Sequence, residues 1–284
     1  MRPDSAAAFA AMLEAHTGQQ LASDRQWRLE TALAPLVRAR ALASLDHLAA
    51  ITAGGAAPAL TRAVIEALLN NETYFYREPA AFGLLDAAME RLARVRAASH
   101  RLRIWCAGCS TGQEAYSLAM RFADDPRWAG WTIEIDATDI SASAIAQARA
   151  GRYSQFEIQR GLPVRLMLRW FDSDGDQWRA RPELRRKIVF KVHNLLDPPP
   201  AAAAPGRCDI ILCRNVLLYF APPRRAAGFA RLASAIAPHG ILMLGAGETV
   251  TGQTDRFVSD HEHRGLYRLA GDAEAAGSFR AEIG

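Results

Sequence analysis

The chain has 284 residues, enough for one large domain or two smaller ones, and half of them are hydrophobic, which excludes a disordered chain. No apolar run is long enough to span a bilayer, and the start, Met1-Arg2-Pro3-Asp4 and then alanines, lacks a signal-peptide-like core; a cytoplasmic protein without membrane insertion is expected. The net charge of +4 rests almost wholly on arginine, with Lys187 and Lys191 the two lysines; within 149–191, eleven basic side chains stand against five acidic ones, an excess that attracts acidic partners without saying which.

Phe9, Met12, Leu13 and His16 fall at helical spacing, and Gly18 ends that helix. Asp24 is a candidate cap for a second helix carrying Trp27, Leu29 and Leu33. Pro35 restarts or kinks the pattern, which runs on through Leu36, Val37 and Leu42. Leu45, Leu48 and Ile51 follow. After the break at 53–58, Leu60, Val64, Leu68 and Leu69 form one more amphipathic helix. Residues 1–69 therefore predict an all-helical domain, whose Arg25, Arg28, Arg38, Arg40 and Arg62 read as solvated outer faces.

Residues 70–79, Asn-Asn-Glu-Thr-Tyr-Phe-Tyr-Arg-Glu-Pro, are too polar and aromatic for a bland linker. Phe82, Leu85, Met89 and Leu92 continue as a linker helix to about 94, and an α/β domain is expected from 95 to the end. Ile104-Trp105-Cys106 reads as a buried strand. The turn Gly108-Cys109-Ser110-Thr111-Gly112 leads from it into a helix with Leu118, Met120 and Phe122. The turn lacks a full dinucleotide fingerprint and the lysine of a phosphate loop, so it suits a nucleoside without a pyrophosphate; alone, it reads equally as an ordinary tight turn.

Strand 132–138 ends at Asp139, Ser141 caps the next helix, and Gly151 stops it. Residues 209–213, a helix opened by Pro222-Pro223, a turn at His239-Gly240 and strand 241–245 complete a parallel, doubly wound pattern. Residues 265–269 read as a final antiparallel strand and 271–284 as a frayed tail. Residues 155–191 interrupt the alternation. Strands at 178–181 and 187–192, with a turn at Asp172–Asp176, predict a small antiparallel β insertion. Asp172, Asp174 and Asp176 begin like a calcium loop, but Gly175 is misplaced and no suitably spaced glutamate follows.

Cys106-x-x-Cys109 invites a zinc or redox reading, yet all four cysteines adjoin apolar strands and read as buried thiols. His261 and His263 have no third ligand at a suitable spacing, so no metal is expected. In an open parallel sheet, ligands gather at the carboxyl ends of the strands. Asp139 at such an end either accepts the hydroxyls of a ribose or serves as a helix cap with Ser141. Asn194 offers an amide to an adenine edge, Arg214 and Asn215 follow the strand at 209–213, and Tyr219 comes just after. Each has loop hydrogen bonding as its plainer explanation.

The segments N-E-T-Y-F-Y-R-E, A-G-C-S-T-G-Q-E-A-Y-S-L-A-M, A-T-D-I-S, H-N-L-L and C-R-N-V-L-L-Y-F, in this order and at this spacing, resemble those of the CheR family of chemotaxis receptor methyltransferases. The resemblance covers about residues 10–270. It implies a class I, Rossmann-like methyltransferase domain that binds S-adenosylmethionine, behind a helical N-terminal domain. It further implies methyl-ester formation on glutamates of chemoreceptor cytoplasmic helices. Carried over by position, it puts Asn71, Thr73 and Arg77 over the cofactor, Glu114 against it from the helix after the turn, and Asp139 on the ribose. Asn194 and Leu195 fall at the adenine, Arg214 and Asn215 at the methionine part, and Arg77 with Tyr219 closest to the methyl group. The family's G-E-E-P-Y-S is G-Q-E-A-Y-S here, with Gln113 and Ala115. The short turn at 172–176 predicts no binding of a receptor's C-terminal peptide tether. No nucleic-acid partner is expected, since the basic stretch carries no RNA-binding motif. The alternatives are a methyltransferase of another substrate class and a non-catalytic S-adenosylmethionine-binding signalling module.

Overall fold

The computed structural model describes residues 1–21, 26–55 and 57–271; the expected cap Asp24, Arg25 and the tail beyond 271 lie outside them. The chain divides into two units, residues 1–71 with 219–224, and residues 72–218 with 225–284.

The first unit holds helices α1 (Pro3–Thr17), α2 (Gln26–Ala39), α3 (Leu45–Ala53) and α4 (Pro58–Leu68). Pro3 and Pro58 open their helices where a missing N–H costs nothing. Ser44 caps α3 by accepting the His47 N–H at 3.1 Å. Pro35 neither restarts nor ends α2, which runs on to Ala39; Leu42 lies beyond it. Phe9, Leu13, Leu29, Leu33, Leu48, Val64 and Leu68 are buried in this unit. Residues 219–224 join it through a bridge between Gln19 and Phe220 and a 2.7 Å bond from the Gln20 N–H to the Tyr219 carbonyl.

The second unit opens with a strap, residues 72–78, and α5 (Pro79–Val95). The strands of its large sheet are β1 (Arg101–Ala107), β2 (Thr132–Asp139), β6 (Ile188–Val192), β7 (Cys208–Cys213), β8 (Ile236–Leu244), β9 (Phe257–Ser259) and β10 (Leu266–Leu269). The order is β6-β2-β1-β7-β8-β10-β9, with β6 to β8 parallel and β10 antiparallel to both its neighbours. The chain builds outward from β1 through β2 to β6, then crosses back to β7. The switch point therefore lies between β1 and β7, where such sheets bind ligands. Helices α6 (Gln113–Asp124), α7 (Ala142–Ala150) and α11 (Pro222–Ala235) connect these strands.

A second sheet, β3 (Arg152–Ser154), β5 (Gln177–Ala180) and β4 (Phe171–Asp174), is the antiparallel insertion, with short helices α8 (Gln155–Gln159), α9 (Val164–Trp170) and α10 (Pro182–Arg185). The strand expected at 187–192 does not belong to it. That strand is β6, paired in parallel with β2, because Ile188 and Phe190 bury themselves against the main core. β8 begins earlier than expected, at Ile236, and its pairing with β7 shifts register between Ile236 and Ile241, so His239-Gly240 lies in an irregularity just before the regular pairing of 241–244.

The strap is held by its aromatic side chains. Phe75 is fully buried, 5.0 Å from the Tyr153 ring and 5.5 Å from Phe171, both edge-on. Its neighbour Tyr76 donates its N–H to Ser117 Oγ at 3.0 Å. The Phe75 ring thus fastens the strap to the insertion, and the Tyr76 backbone fastens it to α6.

Candidate active site

The turn after β1 is shaped by two glycines in the left-handed region, with φ of 83° at Gly108 and 93° at Gly112. A Cβ on Gly108 would stand 2.3 Å from Val216 Cγ2, and one on Gly112 would meet Ala148 and Phe190. Packing against the protein's own loops therefore demands glycine here, beyond any approach of a ligand. The N–H groups of Gly108 and Cys109 both donate to the Thr138 carbonyl, at 2.8 and 2.9 Å. This ties the first turn to the end of β2.

Asp139 stands at that end, half-buried. One carboxylate oxygen accepts the Ser110 N–H at 2.7 Å, the other the Ser141 N–H at 2.9 Å. Ser141 is itself the cap of α7, accepting the Ala144 N–H. Asp139 thus fixes both turns flanking the crevice through charge-assisted bonds to their amides.

Across the switch point, Arg214 follows β7 with a side chain only 1% exposed. It donates to Glu114 Oε2 at 2.9 Å, Glu78 Oε2 at 2.9 Å and the Arg77 carbonyl at 2.7 Å. One cation therefore stands between two carboxylates, and it ties α6 to the strap. The carboxylates differ. Burial lifts Glu114 above its ordinary 4.5 although Arg214 opposes it. At Glu78 burial pushes the same way, but the Arg214 hydrogen bond and charge, with the Ala246 N–H, outweigh it and leave the group lowered. Arg214 loses by burial and gains more from its two partners, ending above its ordinary value.

Asn215 has φ of 59°, uncommon outside glycine, and its side chain lies on Gly245. His193 donates its N–H to the Asp139 carbonyl at 2.9 Å, and its ring meets Trp105 edge-on. Asn194 Oδ1 accepts the Leu196 N–H at 3.0 Å, so its amide oxygen serves the loop, and Leu195 is buried. Arg77 is half-buried, donates to the Glu72 carbonyl at 2.9 Å and lies 5.8 Å from the Tyr74 ring. Thr73 is half-buried in the same strap.

The second unit thus links Arg77, Glu114, Asp139, Arg214 and Asn215 around the carboxyl ends of β1, β2 and β7, with Asn194 and Leu195 after β6. Asn71 and Tyr219 fall in the first unit. There the Asn70 amide donates to the Tyr219 hydroxyl at 2.6 Å. Asn70, Glu78 and Glu248 were missed by sequence reasoning. Glu78 sits inside a quoted motif without an assigned task, and the sole signal at Glu248 was a glycine-rich stretch. A cavity of about 470 Å³ lined by Tyr76, Phe82, Met120, Arg121 and Leu166 contains none of the predicted site residues.

The donors and acceptors fit a cationic nucleoside ligand. Arg214 Nε, Asn215 Oδ1 and His193 Nε2 are buried without a partner among the described residues, which leaves both donors and acceptors around the crevice. Glu78, Glu114 and Asp139 give it a negative lining. Sequence spacing missed a possible metal grouping: Asp260, Glu262 and His263 come together. However, Asp260 is already paired with Arg91 at 2.9 Å and Arg268 at 3.0 Å, and two guanidiniums oppose a cation there.

A model of the CheR methyltransferase S-adenosylmethionine-binding domain matches residues 71–265. The chain is 36% identical over 253 residues to a chemotaxis protein methyltransferase of Vibrio parahaemolyticus, covering 88% of this chain and 90% of that protein. It is 33% identical over 260 residues to chemotaxis protein methyltransferase 1 of Pseudomonas aeruginosa, covering 88% and 91%. A probable biofilm formation methyltransferase, WspC, of Pseudomonas putida is 36% identical over 188 residues, covering 66% of this chain and 43% of that protein.

Proposed function

This chain belongs to the CheR methyltransferases and binds S-adenosylmethionine; on that premise we propose that it methylates glutamate side chains on the cytoplasmic helices of a chemoreceptor, forming methyl esters for sensory adaptation. The observation that carries this reading is Arg214 locked between Glu114 and Glu78 beneath the strap that bears Arg77. S-adenosylmethionine supplies an activated methyl group on a sulfonium.

The protein's own residues have a limited task, because a glutamate carboxylate is already ionised at neutral pH and needs no strong base. They must align the acceptor oxygen and exclude water from it. Asp139 would hold the ribose, Asn194 and Leu195 the adenine region, and Glu114, Arg214 and Asn215 the methionine part, with Thr73 covering it. Arg77 spends one N–H on the Glu72 carbonyl and has others to orient an incoming carboxylate. Its hold must stay moderate, since the product ester is neutral and a tight grip would favour the substrate anion. Tyr219, whose oxygen accepts from Asn70, still has its own proton to donate.

The test is incubation with methyl-labelled cofactor and receptor membranes. Label released as methanol by mild base marks esters; label on nitrogen or RNA resists it and would refute the reading. Arg77→Ala is expected to lower turnover more than cofactor affinity, measured by kinetics beside calorimetry. The WspC likeness favours a second reading of the output, biofilm formation in place of chemotaxis, which the identity of the labelled receptor would decide.

A further inference from the structure

We propose that Glu248 is a positioning residue for the transfer reaction, building from its one carboxylate the loop that presents Arg214 and Asn215. The segment after β7 forms only a single 3-10 turn, Leu217–Tyr219, and unpaired N–H groups at its start would be costly. Glu248 supplies the acceptors. Its Oε2 takes the N–H groups of Asn215 at 2.7 Å and Gly245 at 2.8 Å, and its Oε1 those of Val216 at 3.0 Å and Leu218 at 3.1 Å. Four converging N–H groups make an anion nest, occupied here by a side chain of the same protein. Arg225 completes the frame from the other polarity. It donates to the Leu217 carbonyl at 3.0 Å and is itself held by Gln253 at 2.7 Å.

This frame sets the geometry of the neighbouring site residues. Asn215 is kept at φ 59°, and a side chain on Gly245 would stand 2.7 Å from its Nδ2. Released from Glu248, Asn215 would relax toward ordinary backbone angles and take its buried Oδ1 and the adjoining Arg214 out of register. A carboxylate engaged by four amides has little capacity left for substrate, so Glu248 acts through the loop. The inference rests on the reading that Arg214 and Asn215 adjoin the cofactor.

Glu248→Gln tests it. A carboxamide has one acceptor oxygen, and its NH₂ group would face two N–H donors, so at most two of the four bonds survive. S-adenosylhomocysteine binding by calorimetry should weaken at least tenfold, with kcat falling as well, and Glu248→Asp should be intermediate. Arg96→Ala, which loosens the far end of β7, serves as the control for general destabilisation. It should lower Tm without this loss of affinity. Hydrogen exchange on the wild type adds a readout free of mutation: the amides of residues 215, 216, 218 and 245 should be slow with S-adenosylhomocysteine bound. Gln-variant binding within twofold of wild type, an equal loss in Arg96→Ala at matched Tm, or unprotected amides would each overturn the role. A wild type that binds no S-adenosylhomocysteine overturns the crevice reading and this inference together; wild-type binding with an unaffected Gln variant overturns Glu248 alone.

Discussion

Strand β7 carries a buried charge at each end, and the two are built on opposite plans. At its start, Asp209 is 1% exposed and accepts from Arg96 at 2.7 Å, His239 at 2.7 Å and the Arg103 N–H at 2.8 Å. Just past its end, Arg214 is equally buried but shared by two carboxylates, with Nε unpartnered among the described residues. Burial would raise Asp209, yet His239, the Arg103 amide and Arg96 outweigh it and leave it below 3.8; Glu114 ends above 4.5. The amino end is a closed network that fastens β1 to β7. The carboxyl end is left electrostatically incomplete, as a site that must accept a charged ligand has to be.

Four experiments would break or sharpen this contrast. The largest effect is expected from Arg214→Met, which strips the shared partner from Glu114 and Glu78. S-adenosylhomocysteine affinity should fall more than ~100-fold and stability by ~3 kcal/mol, read by calorimetry and denaturant unfolding. Asp209→Asn should cost ~2 kcal/mol of stability and leave affinity unchanged; a matching loss of binding would erase the distinction between the ends. Glu114→Gln should weaken binding roughly tenfold without lowering Tm at neutral pH, because it removes a carboxylate that burial disfavours.

Acidification should separate the ends most gently. Asp209, lowered on folding, contributes stability that is present above 3.8 and lost as pH falls through its folded value. Glu114, raised on folding, takes up its proton while the pH is still above 4.5, which favours the folded state but cancels the charge facing the site. Affinity should therefore decline before Tm does. A fall in Tm preceding any loss of binding would contradict these assignments.

The basic stretch at 149–191 teaches a related lesson about reading charge from sequence. Of its side chains, Arg152 pairs with Asp174, Arg160 with Glu72, Arg169 with Asp124, Arg181 with Asp172 and Lys191 with Asp136. Much of the apparent excess is thus engaged locally. If the proposed receptor substrate is steered by this stretch, KM should rise only modestly with salt.

The sequence by itself determined the helical first unit, the alternating strands and helices from 101 onward, the caps at Ser141 and Gly151, and the placing of Asp139, Arg214 and Asn215 at strand ends. These follow from local periodicity and turn chemistry, which a short window contains. Only the tertiary structure decided that residues 188–192 join the main sheet, since a strand's partner is chosen by burial against distant residues. It alone joined Glu78 and Glu114 across Arg214, 136 and 100 residues away in the chain, and placed Glu248 on amides 30 to 33 residues before it. Such contacts have no period and no local signature. They exist because a buried charge or amide must find a partner wherever the fold brings one near.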